Sequence, residues 1–131
     1  MNNEVKQEWI KRLRSGQYKQ GRNSLRQGDS YCCLGVLCDL YSPQLWEQGP
    51  EGTFCYAGAS GVLPSIVSEA YGISHDPMVA TRDLPEKLVN NPNFDTLSIK
   101  YCSLSELNDH GYTFEEIAEV IEKVDFYPNH L

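Results

Sequence analysis

The sequence predicts one predominantly helical α+β domain, with an N-terminal helix, a short hairpin, a buried central helix and a C-terminal helical pair. Three observations predict this arrangement: an amphipathic repeat near the start, an apolar run after residue 30 and two successive capping boxes near the end. The chain has 131 residues, a length typical of one domain, and shows no internal repeat or evident linker. We therefore expect residues 1–131 to form a single domain.

The first predicted element is a helix over about Glu4 to Arg14, because apolar residues recur there at helical spacing. Ser15-Gly16 is expected to end it. The next segment alternates loosely between polar and apolar residues and contains the turn signal Gln27-Gly28-Asp29. It is predicted to form a short hairpin with Arg22 and Arg26 near the tip.

The run from Tyr31 to Tyr41 is apolar nearly all round, with Asp39 as its only charge. Such a pattern predicts a buried central helix, which should end before Ser42-Pro43. From Gln44 to Gly61 the chain is rich in glycine, and only Thr53 to Tyr56 is typical of a strand. A loop with a short hairpin is predicted for this segment.

A further helix is predicted to open at Leu63-Pro64, with the proline at its first position, and to end at Gly72. Its buried side should consist of Ile66, Val67, Ala70 and Tyr71. Residues 73–100 contain three prolines and are predicted to be mostly irregular, with one helical turn around Glu86 to Val89.

Two capping boxes follow one another near the C-terminal end, each pairing a hydroxyl with a carboxylate three residues later. They are Ser103 with Glu106 and Thr113 with Glu116. Two short helices are therefore predicted, Leu104 to Asp109 and Phe114 to Val124, with Gly111 between them. The inner face of the second helix should consist of Phe114, Ile117, Ala118, Ile121 and Val124.

Charge is distributed unevenly along the chain. Residues 1–28 contain seven basic side chains against two acidic ones, whereas the remainder contains four basic against sixteen acidic. This predicts an anion-binding face near the N-terminus, with ordinary solvated helix and hairpin faces as the alternative interpretation. The net charge of −7 and four glutamates on the last helix disfavour polymeric nucleic acid as a partner, despite a helix–turn–helix outline there.

The five cysteines are predicted to be reduced and buried. Their number is odd, two are adjacent and three lie in the apolar run, whereas a zinc site would show C-x-x-C pairs or a Cys/His cluster. No metal or cofactor is therefore expected. The sequence also lacks nucleophile-elbow, phosphate-loop and dinucleotide motifs, so no enzyme is expected, although an unfamiliar active site is an alternative.

Nothing in the sequence predicts a membrane partner. No apolar stretch approaches the roughly 18 residues that a membrane helix requires. The first residues are polar and lack the apolar core of a signal peptide. The expected location is a reducing cytoplasm.

One group of residues has the chemistry of a ligand site. Guanidinium groups match phosphate oxygens in pairs, and tyrosine rings can stack on a nucleobase. The residues predicted on this ground are Tyr18, Lys19, Arg22, Arg26 and Tyr31. Asn108 and Asp109 are added as candidates for reading a base edge, with turn chemistry in Asn-Asp-His-Gly as the alternative.

A set of residues towards both ends of the chain forms a recognisable pattern. It consists of Trp9, Leu13-Arg14-Ser15-Gly16, Tyr18, Gln20-Gly21, Leu25-Arg26, the block Cys32 to Leu40, Leu63-Pro64, Leu107-Asn108-Asp109, Gly111, Phe114, Ile117-Ala118 and Ile121. In this pattern the sequence resembles a family of small proteins encoded by tailed bacteriophages and prophages. The resemblance implies a viral protein acting in the cytoplasm of a host bacterium, and it assigns no catalytic or binding residues.

Accessory phage proteins of this size often counter host immunity, and some are oligomeric sponges for signalling nucleotides. By analogy, the leading hypothesis is a non-enzymatic, homo-oligomeric counter-defence protein. It would bind and sequester a small anionic nucleotide, either a cyclic oligonucleotide or an ADP-ribose derivative. The second hypothesis is an inhibitor that binds a host defence protein through an acidic C-terminal surface, and the third is a nucleotide-processing enzyme.

Overall fold

The computed structural model describes residues 1–80, 84 and 101–123 of the protein. Within these ranges the α-helices are α1 (Asn3–Arg14), α2 (Cys33–Tyr41), α3 (Ser65–Tyr71), α4 (Leu104–Asp109) and α5 (Phe114–Lys123). The strands are β1 (Lys19–Gln20), β2 (Arg26–Gln27), β3 (Ser30–Tyr31), β4 (Trp46–Gln48), β5 (Phe54–Tyr56), β6 (Met78–Ala80) and β7 (Tyr101–Ser103). The predicted α+β class, with its N-terminal helix and C-terminal helical pair, is confirmed.

The strands form three small sheets. In the first, β3 lies between β1, which is parallel to it, and β2, which is antiparallel. The predicted hairpin is thus β2–β3, and its turn contains Gly28 at φ +59°, a conformation that favours glycine. β4 pairs with β5 and β6 pairs with β7, both antiparallel. A bridge between Gln27 and Thr53 brings the first hairpin next to the second.

The core lies between α1, α2 and the C-terminal helical pair. α1 contributes Trp9, Ile10 and Leu13, all of them buried. The indole N–H of Trp9 donates to the carbonyl of Cys33 at 3.0 Å, which fixes α1 against the first turn of α2. The buried face of α5 consists of Phe114, Ile117, Ala118, Val120 and Ile121. The helix α1 therefore packs between the central helix and the last described helix.

The central helix lies unusually close to the chain segment before the hairpin. A Cβ placed on Gly35 would lie 2.0 Å from the carbonyl oxygen of Leu25. Only glycine fits there, because real Cβ contacts are essentially never shorter than 3.0 Å. Leu25 itself is fully buried.

The residues at the starts of α4 and α5 make the predicted capping hydrogen bonds. The Ser103 hydroxyl accepts the backbone N–H of Glu106 at 3.2 Å, and the Glu106 carboxylate accepts the N–H of Ser103 at 3.1 Å. Thr113 and Glu116 make the same pair of bonds at 3.1 and 2.9 Å. Both predicted capping boxes are therefore confirmed.

Four predictions differ from the structure. The central helix begins at Cys33, because Tyr31 is paired on both sides as part of β3. Arg22 lies in the loop between β1 and β2, away from the hairpin tip. Pro64 is the N-cap of α3, whose side chains Ile66 and Ala70 are exposed because this seven-residue helix turns Val67 and Ser68 inward.

The fourth difference concerns residues 73–100, where β6 forms in a segment predicted to be mostly irregular. β6 finds its partner β7 more than twenty positions later in the chain, which no local pattern indicates. The predicted turn at Glu86 to Val89 and the predicted end of the last helix at Val124 lie outside the described residues.

Candidate functional site

Arg26 lies among three aromatic rings. Its guanidinium carbon is 3.9 Å from the ring centroid of Phe54, 5.0 Å from that of Tyr31 and 5.4 Å from that of Trp46. The Arg26 Nε donates to the carbonyl of Gly28 at 2.7 Å, so the hairpin turn also holds the side chain. Contacts of a guanidinium with aromatic faces are attractive and fix the plane of the group.

The rings form a continuous edge-to-face set, a geometry that aromatic quadrupoles favour. Tyr31 contacts Tyr18 at 5.1 Å and Trp46 at 5.8 Å between centroids, and Trp46 contacts Phe54 at 6.4 Å. We call Arg26 and these four rings the aromatic–arginine cluster. All five side chains are partly exposed. The cluster is therefore partly accessible to solvent, with its cation lying over three of the rings.

Asp39 of α2 accepts hydrogen bonds from two side chains of the aromatic–arginine cluster. Its carboxylate accepts the Tyr18 hydroxyl at 2.6 Å and the Trp46 indole N–H at 3.0 Å. Burial, followed by the hydrogen bond to Asp39, raises the pKa of Tyr18 to about 12. Arg12 donates to the same hydroxyl at 3.1 Å. The single charge of the central helix thus orients two rings of the cluster.

Lys19 is separated from the cluster by the strand register. Tyr31 is opposite both Gln20 and Arg26, so these side chains share one face of the sheet. Lys19 is opposite Ser30 and therefore points to the other face. Of the predicted cations, only Arg26 contacts the rings.

Arg22 is exposed in the loop between β1 and β2, and it makes no hydrogen bond or ion pair with any described residue. That loop is fastened to the end of α4. The Asp109 carboxylate accepts the backbone N–H of Asn23 at 2.8 Å, where Asn23 has a positive φ of 67°. Arg22 is therefore presented to solvent by a loop whose position is fixed.

Asn108 is fully buried and occupied on both sides of its amide. Its oxygen accepts from Gln20 Nε2 at 2.9 Å and from the Cys33 N–H at 3.2 Å, and its nitrogen donates to the Gly21 carbonyl at 2.8 Å. No polar atom of the Asn108 side chain is exposed, so it is not placed to make the predicted contact with a base. The amide instead joins the end of α4, the β1 loop and the start of α2.

Gln20 completes this junction. Its nitrogen also donates to the Tyr112 carbonyl at 2.8 Å, and its oxygen accepts the Phe114 N–H at 3.0 Å. The turn between α4 and α5 is thereby held to β1. The predicted residues thus divide into the aromatic–arginine cluster, with Tyr18, Arg26 and Tyr31, and the junction, with Asn108 and Asp109.

The two charged halves of the sequence contact each other. Arg14 of α1 donates to Glu115 at 3.0 Å and to Glu122 at 3.3 Å, both on α5. Arg12 pairs with Glu8 at 3.3 Å within its own helix. Part of the N-terminal positive charge therefore stabilises packing against the acidic helix and does not form an open anion-binding face.

The predicted burial of the thiols is confirmed for Cys32, Cys33, Cys38 and Cys102, whereas Cys55 is half-buried. Burial raises the pKa of Cys32 and that of Cys102 to about 11, and it raises the pKa of Cys33 and Cys38 as well. These thiols remain protonated at neutral pH and are poor nucleophiles. Within the described ranges, no group of three His, Cys, Asp or Glu side chains is placed to hold a metal ion.

Sequence reasoning missed Trp46, Phe54 and Asp39. Trp46 and Phe54 belong to the second hairpin, and contacts between the two hairpins, among them the Gln27–Thr53 bridge and the bond from the Gly28 N–H to the Gly52 carbonyl, bring them to Arg26. The available sequence signal is the density of aromatic residues between positions 41 and 56, in a segment that its glycines predict to be a loop with a short hairpin. Asp39 is the single charge in an otherwise apolar helix. Such a charge needs a hydrogen-bond partner when it is removed from water.

The family described as a domain of unknown function (DUF8296) matches residues 1–125 of the chain. No curated protein and no solved structure shows a significant match. None of the helices in the part of the chain that the structure describes has the length and apolar character needed to span a membrane.

Proposed function

Since the chain belongs to the family described as a domain of unknown function (DUF8296), we propose a function from its surface chemistry. The protein binds a small anionic nucleotide at the aromatic–arginine cluster and does not convert the nucleotide into a product. A phosphate group is held by Arg26, and a base stacks on the exposed parts of the neighbouring rings. Arg22 adds positive charge from the adjacent loop.

The observation that supports this proposal is the state of the Arg26 side chain. Its Nε is used by Gly28, whereas its two terminal nitrogens make no hydrogen bond with any residue in the described ranges. The ring contacts fix the guanidinium plane before a ligand arrives, which lowers the entropic cost of binding. A fixed guanidinium with free terminal N–H groups is suited to paired hydrogen bonds with phosphate.

The biological setting comes from the sequence pattern. The resemblance to phage proteins supports a counter-defence role in the cytoplasm of a host bacterium. In that role the protein acts as a homo-oligomer that sequesters a cyclic oligonucleotide or an ADP-ribose derivative, and so lowers the free concentration of an immune signal.

The alternative of an inhibitor with an acidic docking surface receives less support. Glu115 and Glu122 are engaged by Arg14, and Glu119 lies 3.8 Å from Lys123. The acidic helix is thus partly neutralised by the protein itself. A nucleotide-processing enzyme that uses a cysteine nucleophile is disfavoured by the burial and raised pKa of Cys32 and Cys33.

Calorimetry with cyclic dinucleotides, cyclic trinucleotides and ADP-ribose derivatives tests the proposal. Arg26→Ala should weaken binding by about 1.5 to 3 kcal/mol, the scale of a hydrogen bond to a charged group. Arg26→Lys should restore little, because an ammonium cannot make the planar paired contact. Lys19→Ala removes the same charge on the other sheet face and is the matched control.

Two results would overturn the proposal: no panel member binds the wild-type protein, or Arg26→Ala and Lys19→Ala have equal effects. Recovery of the intact nucleotide after heat denaturation distinguishes sequestration from turnover. A recovered product in place of the added nucleotide would favour the enzyme alternative.

A further inference from the structure

We infer that Asp29 binds the ribose of the nucleotide, by accepting a hydrogen bond from the hydroxyl on the carbon next to the phosphate ester. The inference rests on the proposed function and concerns the same surface. It selects cyclic oligoribonucleotides from the two ligand classes proposed above, because their phosphates esterify a carbon that has such a hydroxyl beside it. The phosphates of ADP-ribose are attached to carbons without one.

Asp29 is held close to the group that is proposed to take the phosphate. It follows Gly28 in the turn of the β2–β3 hairpin, and this turn is fixed on both sides. The Gly28 N–H donates to the Gly52 carbonyl at 2.7 Å, and the Gly28 carbonyl accepts from Arg26 Nε at 2.7 Å. Because the Asp29 Cα belongs to the same peptide unit as that carbonyl, it lies within about 6 Å of Arg26 Nε.

The Asp29 carboxylate is exposed and makes no hydrogen bond or ion pair with any residue that the structure describes. Its charge nevertheless acts on the aromatic–arginine cluster. Burial raises the pKa of the Tyr31 hydroxyl, Arg26 lowers it, and Asp39 and Asp29 raise it further. The two oxygens of Asp39 are already used by two rings of the cluster, whereas those of Asp29 can accept from a ligand.

The chemistry of a carboxylate limits what it can bind on a nucleotide. An ionised carboxylate only accepts hydrogen bonds, and it repels the phosphate oxygens because both groups are negative. Its partner must therefore be a donor that lies near the phosphate. The donor nearest to a phosphate diester is the ribose hydroxyl on the adjacent carbon. Dinucleotide-binding domains use the same kind of contact, in which an acidic side chain accepts from a ribose hydroxyl beside the bound phosphates.

Two other polar groups beside the cluster make no hydrogen bond with a described residue, the Gln48 amide and the Tyr31 hydroxyl. Gln48 is opposite Phe54 in the β4–β5 pair, so the two side chains share one face of that sheet. Both groups can donate as well as accept, so each can bond to the phosphate itself. Asp29 cannot, and this restriction assigns the ribose hydroxyl to Asp29.

The test compares cyclic ribonucleotides with 2′-deoxy counterparts that differ only in this hydroxyl. Cyclic di-AMP, cyclic di-GMP and cyclic tri-AMP, all with 3′,5′ linkages, are measured against the matching 2′-deoxy compounds by calorimetry at one salt concentration. We expect the ribonucleotide to bind at least about tenfold more tightly than its counterpart, the scale of a hydrogen bond to a charged group.

Substitutions at Asp29 separate the hydrogen bond from the charge. Asp29→Ala should bind the deoxynucleotide more tightly than the wild-type protein does, because a negative charge near the phosphate is removed. The same variant should reduce the preference for the ribonucleotide to within about twofold, because the acceptor is gone. Asp29→Asn keeps an acceptor oxygen and should give an intermediate preference. Gln48→Ala and Tyr31→Phe are the matched controls and should leave the preference unchanged.

The outcomes distinguish this inference from the proposed function. Equal affinities of the wild-type protein for ribonucleotide and deoxynucleotide overturn the inference and leave the proposed function intact, because a nucleotide still binds. Binding of ADP-ribose without binding of any cyclic compound has the same meaning. A preference that survives in Asp29→Ala, or that is lost only in Gln48→Ala or Tyr31→Phe, also overturns the inference and assigns the ribose to another residue. If neither ligand class binds, the inference and the proposed function fail together.

Discussion

The side-chain oxygen of Asn108 accepts the backbone N–H of Cys33 at 3.2 Å, joining the C-terminal helical pair to the first turn of the central helix. The carbonyl of the same Cys33 accepts the indole N–H of Trp9. Gln20 Nε2 donates to the same Asn108 oxygen, and the Asn108 nitrogen donates to the Gly21 carbonyl. Trp9, Gln20, Gly21, Cys33 and Asn108, all members of the sequence pattern described above, therefore meet at one junction, so this part of the pattern reflects the fold more than a ligand.

Replacing Asn108 with alanine should destabilise the protein by about 3 kcal/mol. The change removes the partner of the buried Cys33 N–H and that of the half-buried Gly21 carbonyl, and each unsatisfied group costs about 1 to 3 kcal/mol, with partial relief by water. Gln20 loses one of its two acceptors and keeps the Tyr112 carbonyl. Urea unfolding monitored by circular dichroism measures the loss. Asp109→Ala is the matched control, because its carboxylate is partly exposed and should cost less. Unchanged stability together with abolished nucleotide binding would instead place Asn108 in the ligand site.

Gly35→Ala should also be severely destabilising. The new methyl group would overlap the carbonyl oxygen of Leu25, a backbone atom that cannot rotate away. Overpacking in a core costs about 1 to 3 kcal/mol or more, and a backbone clash belongs at the upper end. Gly61→Ala is the control, since its added Cβ would meet nothing within 4 Å. Equal unfolding midpoints for the two variants would contradict the close approach of α2 to Leu25.

The elements that the sequence predicted are those with local signals. The capping boxes at Ser103 and Thr113 depend on residues three positions apart, and α1 depends on apolar spacing within a few turns. The pairing of β6 with β7 depends on contacts across a long stretch of chain, so it could not be read locally. The requirement for glycine at position 35 could not be predicted for the same reason. The sequence shows a small residue there, but it does not show the Leu25 carbonyl that lies beside it.

Only the part of the candidate site whose residues are close in the sequence could be predicted. Tyr31 and Arg26 are close in sequence, and hairpin register places them side by side. Trp46 and Phe54 reach Arg26 only after two hairpins meet, so no spacing rule connects them. Composition alone places Lys19 with Arg26 because both are basic, whereas strand alternation turns Lys19 to the opposite face.

The protein should lose stability as the pH rises from about 9 to about 11. Burial raises the pKa of Cys32 and Cys102 from 9.0 to about 11, so the folded state favours the neutral thiols. Their contribution to the free energy of unfolding is complete below the unfolded pKa and is lost as the pH rises through the folded one. Urea midpoints measured across this range, under reducing conditions, give the slope.

Cys102→Ala provides the control for this pH dependence. The variant creates a cavity and lowers stability at every pH, but it should flatten the slope between pH 9 and 11 because one shifted group is gone. An identical slope in both proteins would contradict the assignment to buried thiols. Alkylation of the native protein at neutral pH should correspondingly be faster at half-buried Cys55 than at Cys33 or Cys38.

Asp39→Ala should loosen Trp46 and cost about 2 kcal/mol, since two hydrogen bonds to a charged, half-buried acceptor are lost. Trp46 is half-buried whereas Trp9 is fully buried, so acrylamide quenching of tryptophan fluorescence reports mainly on Trp46. Quenching should increase in Asp39→Ala and stay near wild type in Asp39→Asn, whose amide oxygen can still accept the Trp46 indole N–H. Because the asparagine variant keeps the shape of the side chain, it also controls for general unfolding. Equal quenching in wild type and Asp39→Ala would show that the ring is held by its aromatic neighbours alone, and that Asp39 does not orient the aromatic–arginine cluster.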